Sequence, residues 1–452
     1  MDNIQSFRLA GALLGVFCLM PISVFADENA VVISSNNVVD SSSQTPLANY
    51  DLGFREVLNQ ALDISYEYKA LNYELRSTEI LKDKEESYFY PTATLSSEQK
   101  EYYGEPRPDP DSTGKAILTL RAKVWGSSTD DRIDASENNR LSGEMNLKGK
   151  ELEIYYVVLK YLTKVELTRE FKRQTDEIRV ELENFYQKQL NATEAGVSTQ
   201  SDAMEVELTK SRFEEQVFAV VSNIDRYFRD LRIETGLELG SQEQTQRIGI
   251  DYNKLVSVLD INVTKFDSHA LIRDNYGLRS TEYLLKATLQ SAKAQRERLK
   301  IDLVNETHVA LYGGNDQYEW GDTDDSYFGL NVTYDLYNHG IGADQESALE
   351  LYKAEKERYD MGVQKFLAQL DATALDYENT MAKRNNLIEQ LRINRELIEN
   401  QKNEIYTDKV TYLDIAESIS SLNQSEIALL NMELSLYDQL YELMELKSQK
   451  IY

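Results

Sequence analysis

A short alternation of apolar and polar residues, repeated at a fixed distance and followed both times by a very long helical pattern, constrains this chain most. In Lys115 to Trp125 (KAILTLRAKVW), Ala116, Leu118, Leu120, Ala122 and Val124 fall on one face of a strand, and Thr119, Arg121 and Lys123 on the other. The design returns at Tyr327 to Tyr337 (YFGLNVTYDLY), with Phe328, Leu330, Val332, Tyr334 and Leu336 on the apolar face and Asn331, Thr333 and Asp335 on the polar one. The second copy lies 212 positions after the first, since 330 minus 118 and 336 minus 124 agree. The spacing implies a duplicated chain.

The surroundings repeat as well. Residues 52–86 carry apolar positions at steps of three and four and predict a helix, which Tyr90-Pro91 ends. A hairpin over 91–125 follows, its loop holding three of the six prolines. A helical stretch then runs to about residue 190, with Leu152, Tyr155, Val158, Leu162 and Val165 at coiled-coil spacing. At ~1.5 Å per residue it spans roughly 90 Å, a rod that no globular domain contains. A break at 191–200 precedes a return helix over 201–231. The second half predicts a helix over 270–299, a hairpin over 301–337, a turn at Gly340/Gly342, a long helix to about 405 and a last helix from Tyr412. Asp202 and Asp414, each opening a return helix, are again 212 apart. The expected organisation is a signal peptide (1–26), a flexible leader (27–49), a first repeat (50–235), a connector (236–266) and a second repeat (267–452).

Composition agrees with long helices. Among 452 residues there are only 6 Pro and 20 Gly, 28% are charged, and the mean hydropathy is −0.51. A formal charge of −28 argues against nucleic acid, whose phosphates need Lys and Arg. Arg8, the apolar run Leu9 to Val24 and Val24-Phe25-Ala26 have the arrangement of a secretory signal. Cys18 is the only cysteine, and Phe17 before it is too bulky for lipoprotein processing, so a mature chain without disulfides or thiol chemistry is expected. No later apolar run reaches the ~18 residues of a membrane helix. The three histidines lack metal-ligand spacing, and among 77 acidic residues no carboxylate pair stands out. No enzyme, metal or cofactor is expected.

Each strand is expected to have ~10–12 residues, and ~9–11 suffice to cross a bilayer when tilted. Four strands cannot close a barrel, however, and an open edge cannot lie in lipid. A barrel shared between chains resolves this, and three copies give twelve strands. Leu118, Leu120, Val124, Leu330, Val332 and Leu336 would then face lipid. Thr119, Arg121, Lys123, Asn331, Thr333 and Asp335 would line the lumen. Tyr90, Tyr102, Tyr103, Trp125, Tyr312, Tyr327 and Tyr337 lie near strand ends, where aromatic girdles sit, and account for part of the 29 tyrosines. Alternation alone also fits a soluble sheet packed on a core.

The chain resembles the TolC family of outer-membrane efflux proteins. Residues 52–62 (LGFREVLNQAL) are similar to that family's opening helix and 90–95 (YPTATL) to its first strand. Residues 411–415 (TYLDI) resemble the start of its last helix, with Gly196-Val197-Ser198-Thr199 and Asp202 as the earlier copy. Asp408-Lys409 stands where the family commonly has glycine, and Ile64-Ser65 where it has Asn-Pro. The resemblance implies a mainly α-helical protein with a membrane β-barrel. Long antiparallel coiled-coil helices would form a trimeric α-barrel, and each chain would give four strands to a twelve-stranded transmembrane barrel. It implies a periplasmic adaptor and an inner-membrane transporter as partners, and a periplasmic mouth closed by acidic rings. By motif those are Asp414 and Glu417, with Gly196, Asp202, Glu205 and Thr411 at the equivalent tip and the adaptor contact. Thr199 and Thr411 also read as helix caps, and the acids as first-turn residues favoured by the helix dipole. The function implied is a passive exit duct for efflux or type I secretion. The rival reading is a non-conducting coiled-coil protein of the periplasm or cell surface.

Overall fold

The computed structural model describes residues 52–101, 112–237, 252–259, 266–296, 298–313, 326–336, 339–405 and 410–451. The expected signal peptide and leader, and Asp408-Lys409, lie outside the described residues. The first half comprises α1 (Leu52–Ile64), α2 (Tyr66–Glu86), β1 (Thr92–Glu101), β2 (Ser112–Gly126), α3 (Thr129–Glu194), α4 (Gln200–Val221) and α5 (Asn223–Thr235). After α6 (Tyr252–Val258) and α7 (Ser268–Asp274), the second half runs α8 (Tyr276–Ala294), β3 (Leu299–Gly313), β4 (Tyr327–Tyr334), α9 (His339–Glu404) and α10 (Tyr412–Leu446). Both α3 and α9 have 66 residues, which at ~1.5 Å each is about 100 Å.

Several elements are more finely divided than their periodicity suggests, and side chains that cap the backbone are the reason. Ser65 leaves the helical region and accepts a hydrogen bond from the Tyr68 amide at 3.3 Å, splitting the helix expected over 52–86. Asn275 does the same for Leu278 at 2.9 Å, so 270–299 holds α7 and α8 rather than one helix. Gly340 and Gly342 sit inside the first turns of α9 and not in a turn before it. Among the described residues, positive φ occurs at Gly196, Gly236 and Ser448. β4 ends at Tyr334, although the Asp335 amide still donates to the Arg298 carbonyl at 2.9 Å.

The sheet is antiparallel in the order β1-β2-β3-β4. Each strand is joined to one helix, α2 to β1, β2 to α3, α8 to β3 and β4 to α9. Those helices pack in the same sequence, α2 on α3, α3 on α8 and α8 on α9. Sheet and helix layer therefore form one continuous wall. Farther from the sheet, α10 takes over from α8, packing on α3, α4 and α9.

The main core lies where α1, α3, α9 and α10 meet α6 and α7, around Val158, Leu159, Leu370, Leu436 and Leu440. Tyrosines with hydroxyl partners hold it together. Tyr437 donates to the Leu255 carbonyl at 2.9 Å, Tyr441 shares a 2.7 Å hydrogen bond with Thr163, and Tyr156 donates to the Gln449 carbonyl. Part of the tyrosine surplus is thus structural, each of these rings burying apolar area while its hydroxyl satisfies a backbone or side-chain group. A second core nearer the hairpin ends joins Leu182 and Phe185 of α3, Val206 and Phe213 of α4, and Ile415 and Ile419 of α10.

Between α9 and α10 two ion pairs close on buried carboxylates, one with a part-buried arginine, Arg384, and one with an exposed arginine, Arg395. The Arg384 guanidinium donates to Glu433 Oε1 at 2.8 and 3.0 Å, and Arg395 to Glu426 Oε1 at 2.5 Å. Burial pushes the Glu433 carboxyl above the usual range; Arg384 pulls it down and Glu426 adds repulsion. Arg384→Met strands the Glu433 carboxylate and is expected to destabilise by about 3–5 kcal/mol at neutral pH. A carboxyl whose folded pKa is raised penalises the fold while ionised, so stability recovers as pH falls through that pKa towards the unfolded value. Heat-denaturation midpoints of parent and variant should therefore converge towards about pH 4. A deficit independent of pH would show that Glu433 is not its source.

Candidate functional site

Two regions concentrate the residues singled out by the sequence: the faces of the sheet, and the turns that join each long helix to its return helix. Register fixes the first, because residues opposed across an antiparallel pair share a face. Leu118 opposes Leu95, Leu120 opposes Ala93, Ala122 opposes Leu303, and Leu303 in turn opposes Leu330, with Ile301 opposite Val332. The apolar positions of all four strands thus align. Val124 is the extra residue of a bulge, since Lys123 pairs with Asp302 and Trp125 with Ile301. Trp125 consequently joins the apolar face, which strict alternation does not predict. Asn305 and Thr307 also fall there, and the Thr307 hydroxyl donates to Asn305 Oδ1 at 3.2 Å.

Among the described residues, no layer covers this apolar face. Leu95, Phe328, Leu330 and Val332 are 56–69% exposed, and Leu336, beyond the end of β4, is 86% exposed. A sheet packed on a soluble core would bury these side chains.

The opposite face gathers Thr119, Arg121, Lys123, Asn331 and Thr333 with Lys300, Asp302, Glu306 and His308 of β3. Glu306 is held twice, by His308 Nε2 at 2.6 Å and by the Tyr327 hydroxyl at 3.3 Å. The sequence reading missed this pair because β3 loses its alternation at Val304-Asn305. Below the sheet, Lys123 Nζ and the Arg132 guanidinium lie against the Tyr88 ring, at 4.0 and 4.6 Å from its centre. A cleft of about 600 Å3 on this side is lined by Glu85, Arg132, Asn139, Gln295, Lys300 and Asp335, drawing on α2, α3, α8 and the strand ends. One polar surface therefore continues from the strands onto the helices. Among the described residues, no group of three or more His, Cys, Asp or Glu is placed to hold a metal, and no helix is long and apolar enough to cross a membrane.

At the turns, the acids have local partners. Helix α3 closes at Gly196 (φ 75°), whose amide donates to the Thr193 carbonyl, while the Val197 amide donates to that of Ala192. That pair of bonds is a Schellman motif, and its left-handed position favours glycine. Thr199 then caps α4. Its hydroxyl accepts from the Asp202 amide at 3.2 Å, and Asp202 Oδ2 accepts from the Thr199 amide at 3.1 Å and the Ser198 hydroxyl at 2.9 Å. Thr411 and Asp414 form the same capping box on α10, with 2.8 Å from the Thr411 amide to Asp414 Oδ2 and 3.1 Å for the return bond. Both aspartates thus serve as the third residue of a helix start. Glu205 and Glu417 are exposed one turn farther on. Ile415, Ala416 and Ile419 are buried against the second core, which turns Asp414 and Glu417 outward together.

The bond from the Thr199 amide, helped by Ser198 and the Thr199 hydroxyl, holds the Asp202 carboxyl below its ordinary range. A depressed carboxyl stabilises above its unfolded pKa, and that contribution disappears as pH falls through the folded pKa. Asp202→Ala is expected to speed amide exchange in peptides spanning 195–206 severalfold at neutral pH, with the difference shrinking below about pH 4. Hydrogen-exchange mass spectrometry checks this, and unchanged exchange at neutral pH would remove the capping role.

No protein-family model matches the sequence, and no curated protein matches it. Solved structures do. CusC, from a study of its folding and transmembrane channel formation, superposes with a TM-score of 0.70 at 12% identity, covering 88% of this chain and 93% of that one. The Campylobacter jejuni outer-membrane channel CmeC gives 0.66 at 12% identity over 88% and 86%. The open state of the Neisseria gonorrhoeae outer-membrane channel MtrE gives 0.65 at 14% over 88% and 89%. This chain has the fold of the TolC-type outer-membrane channels, nearly end to end.

Proposed function

We propose that three copies of this chain assemble into an outer-membrane channel-tunnel, a passive exit duct rather than an enzyme. The observation that carries the reading is the sheet itself. Its apolar face is uncovered, its polar face continues onto the helices below, and β1 and β4 each pair on one side only among the described residues. A bilayer tolerates such a sheet only when its edges are closed by further strands. Pairing β4 of one copy with β1 of the next closes the edges after a few copies, and three give a twelve-stranded barrel with room for a wet lumen. Leu118, Leu120, Val124, Leu330, Val332 and Leu336 then meet lipid, while Thr119, Arg121, Lys123, Asn331, Thr333 and Asp335 line the lumen.

Helices of about 100 Å reach from the barrel far into the periplasm. In this reading their turns meet a periplasmic adaptor through the region of Gly196, Asp202 and Glu205, and an inner-membrane transporter supplies the energy. Whether the duct serves a tripartite efflux pump or a type I secretion system depends on that transporter. Asp414 and Glu417, turned outward together at the start of α10, form the acidic rings of the mouth, with Thr411 setting their position. Since Asp414 also caps α10, its exposed neighbour Glu417 is the freer of the two to act on ions.

Reconstitution into planar bilayers tests the duct. The parent should conduct and be blocked by multivalent cations, as a carboxylate ring requires. Asp414→Asn with Glu417→Gln should keep conducting and lose most of that block. A protein that never conducts, and is recovered from the soluble periplasm, would instead support a structural coiled-coil role.

A further inference from the structure

The two outermost helices of the wall each present an unpartnered stripe, and the stripes are complementary. Among the described residues, helix α2 packs mainly on α3, through the side that carries Leu75 and Thr78, both of which approach Gly143. At 100° per residue, Tyr66, Tyr73 and Ile80 project from the opposite side. They are 85%, 67% and 68% exposed, which is far more than large side chains of a finished surface show in a regular row. On the other edge, α9 meets α8 through the side of Gly362, whose nearest neighbour there is Leu278. Ser347, Ala354 and Met361 lie away from that contact and are exposed.

We infer that α2 of one copy packs antiparallel on α9 of the next, with Ile80 against Ser347, Tyr73 against Ala354 and Tyr66 against Met361. This seam rests on the trimeric duct proposed above and specifies how its subunits recognise one another below the barrel. Three observations fix it. Both stripes step by seven residues, 80-73-66 and 347-354-361, so antiparallel packing keeps every level in register. Both helices start from the sheet, and Tyr73 lies ~20 Å from the sheet end of α2 while Ala354 lies ~22 Å from that of α9. Large side chains on α2 face small ones on α9 at the upper two levels, so the helices approach closely around the tyrosine.

Charge sets the same register. Arg76 and Lys69 flank the α2 stripe on one side, and among the described residues neither meets a carboxylate. Glu350 and Glu357 flank the α9 stripe, and among the described residues Glu350 pairs with the exposed Lys353 of its own helix alone, at 2.7 Å. In an antiparallel pair, flanks on the same rotational side meet, which brings Arg76 to Glu350 and Lys69 to Glu357 in step with the stripe. A heterologous contact of this kind closes into a ring when the rotation between copies divides a full turn.

Cysteine pairs test the seam on the full-length protein. Within one chain α2 and α9 are separated by α3 and α8, three interaxial steps of about 8–10 Å, beyond the reach of a disulfide. Tyr73→Cys combined with Ala354→Cys should link copies into dimers and trimers under mild oxidation, and each single variant should not. Tyr73→Cys with Leu375→Cys, on the same edge but ~30 Å farther along α9, should give no link. Arg76→Glu should lower the temperature at which the trimer dissociates, and adding Glu350→Arg should restore it. Trimers of native mass that form no 73–354 link, or link equally through 375, would overturn the seam and leave the duct standing. The absence of trimers from the detergent-extracted protein would overturn both.

Discussion

The pairing of β2 with β3 is the interaction on which the rest depends. It joins the two halves through a ladder running from Thr113–Gly313 to Gly126–Lys300, and below it α3 packs along α8. Because each strand continues into a helix, a slip of one residue in this ladder would turn every side chain of one half to the wrong face of the wall. The apolar side chains that stay exposed would then be mixed with Arg121, Lys123 and Asp302. Two bulges absorb the mismatch between the ladder and the strand ends, one at Val124 and one between Ala310 and Tyr312. The former places Val124 and Trp125 on the apolar side at the point where strand becomes helix, where an amphipathic ring suits a membrane interface.

Much of this was legible in the sequence because periodicity is set by geometry that a chain cannot evade. The alternation at 115–125 and 327–337 gave the two strands and their faces, and the 212-residue offset gave the duplicated order of elements. What periodicity cannot show is where a single polar side chain outcompetes the helix. Ser65 and Asn275 each satisfy an amide that would otherwise be lost at a helix start. Their presence in a helical pattern is ambiguous, since the same residues occur on solvated helix faces. Burial inside the wall was equally hidden. Tyr437 and Tyr441 look like any other residues of an amphipathic helix, and only the neighbouring α3 and α6 make them core.

The acids at the turns serve local structure, and that role bears on the one proposed for them in the mouth of the duct. Asp202 and Asp414 were singled out for their repeat position, and each completes a capping box with the threonine three residues before it. A carboxylate engaged with backbone amides still carries its charge, and at the exposed end of a hairpin that charge projects into water. A cap and a ring element are therefore compatible. The capping bond fixes the side chain in one orientation, which a mobile surface acid lacks, so copies related by symmetry would present the charge at the same height.

The two hairpins start from the same caps but are sealed differently along their length. In the first, the positions 212 residues before Arg384, Arg395, Glu426 and Glu433 are Lys172, Glu183, Glu214 and Val221. Its charges pair at the surface, Arg179 with Glu214 and Lys210 with Glu183, all between 31% and 40% exposed. In the second hairpin Glu426 and Glu433 are buried at 4% and 8%. Exposed pairs contribute little and tolerate sliding, whereas a buried pair is strongly destabilised by any shift that separates it. The α9–α10 hairpin is therefore the one whose internal register is fixed by electrostatics as well as packing. If α10 shifts against α3 and α4, it must carry α9 with it, because breaking their seam would strand two carboxylates away from water. The two hairpins thus share an apolar seam but differ in their charges, which pair at the surface in the first and close on two buried carboxylates in the second.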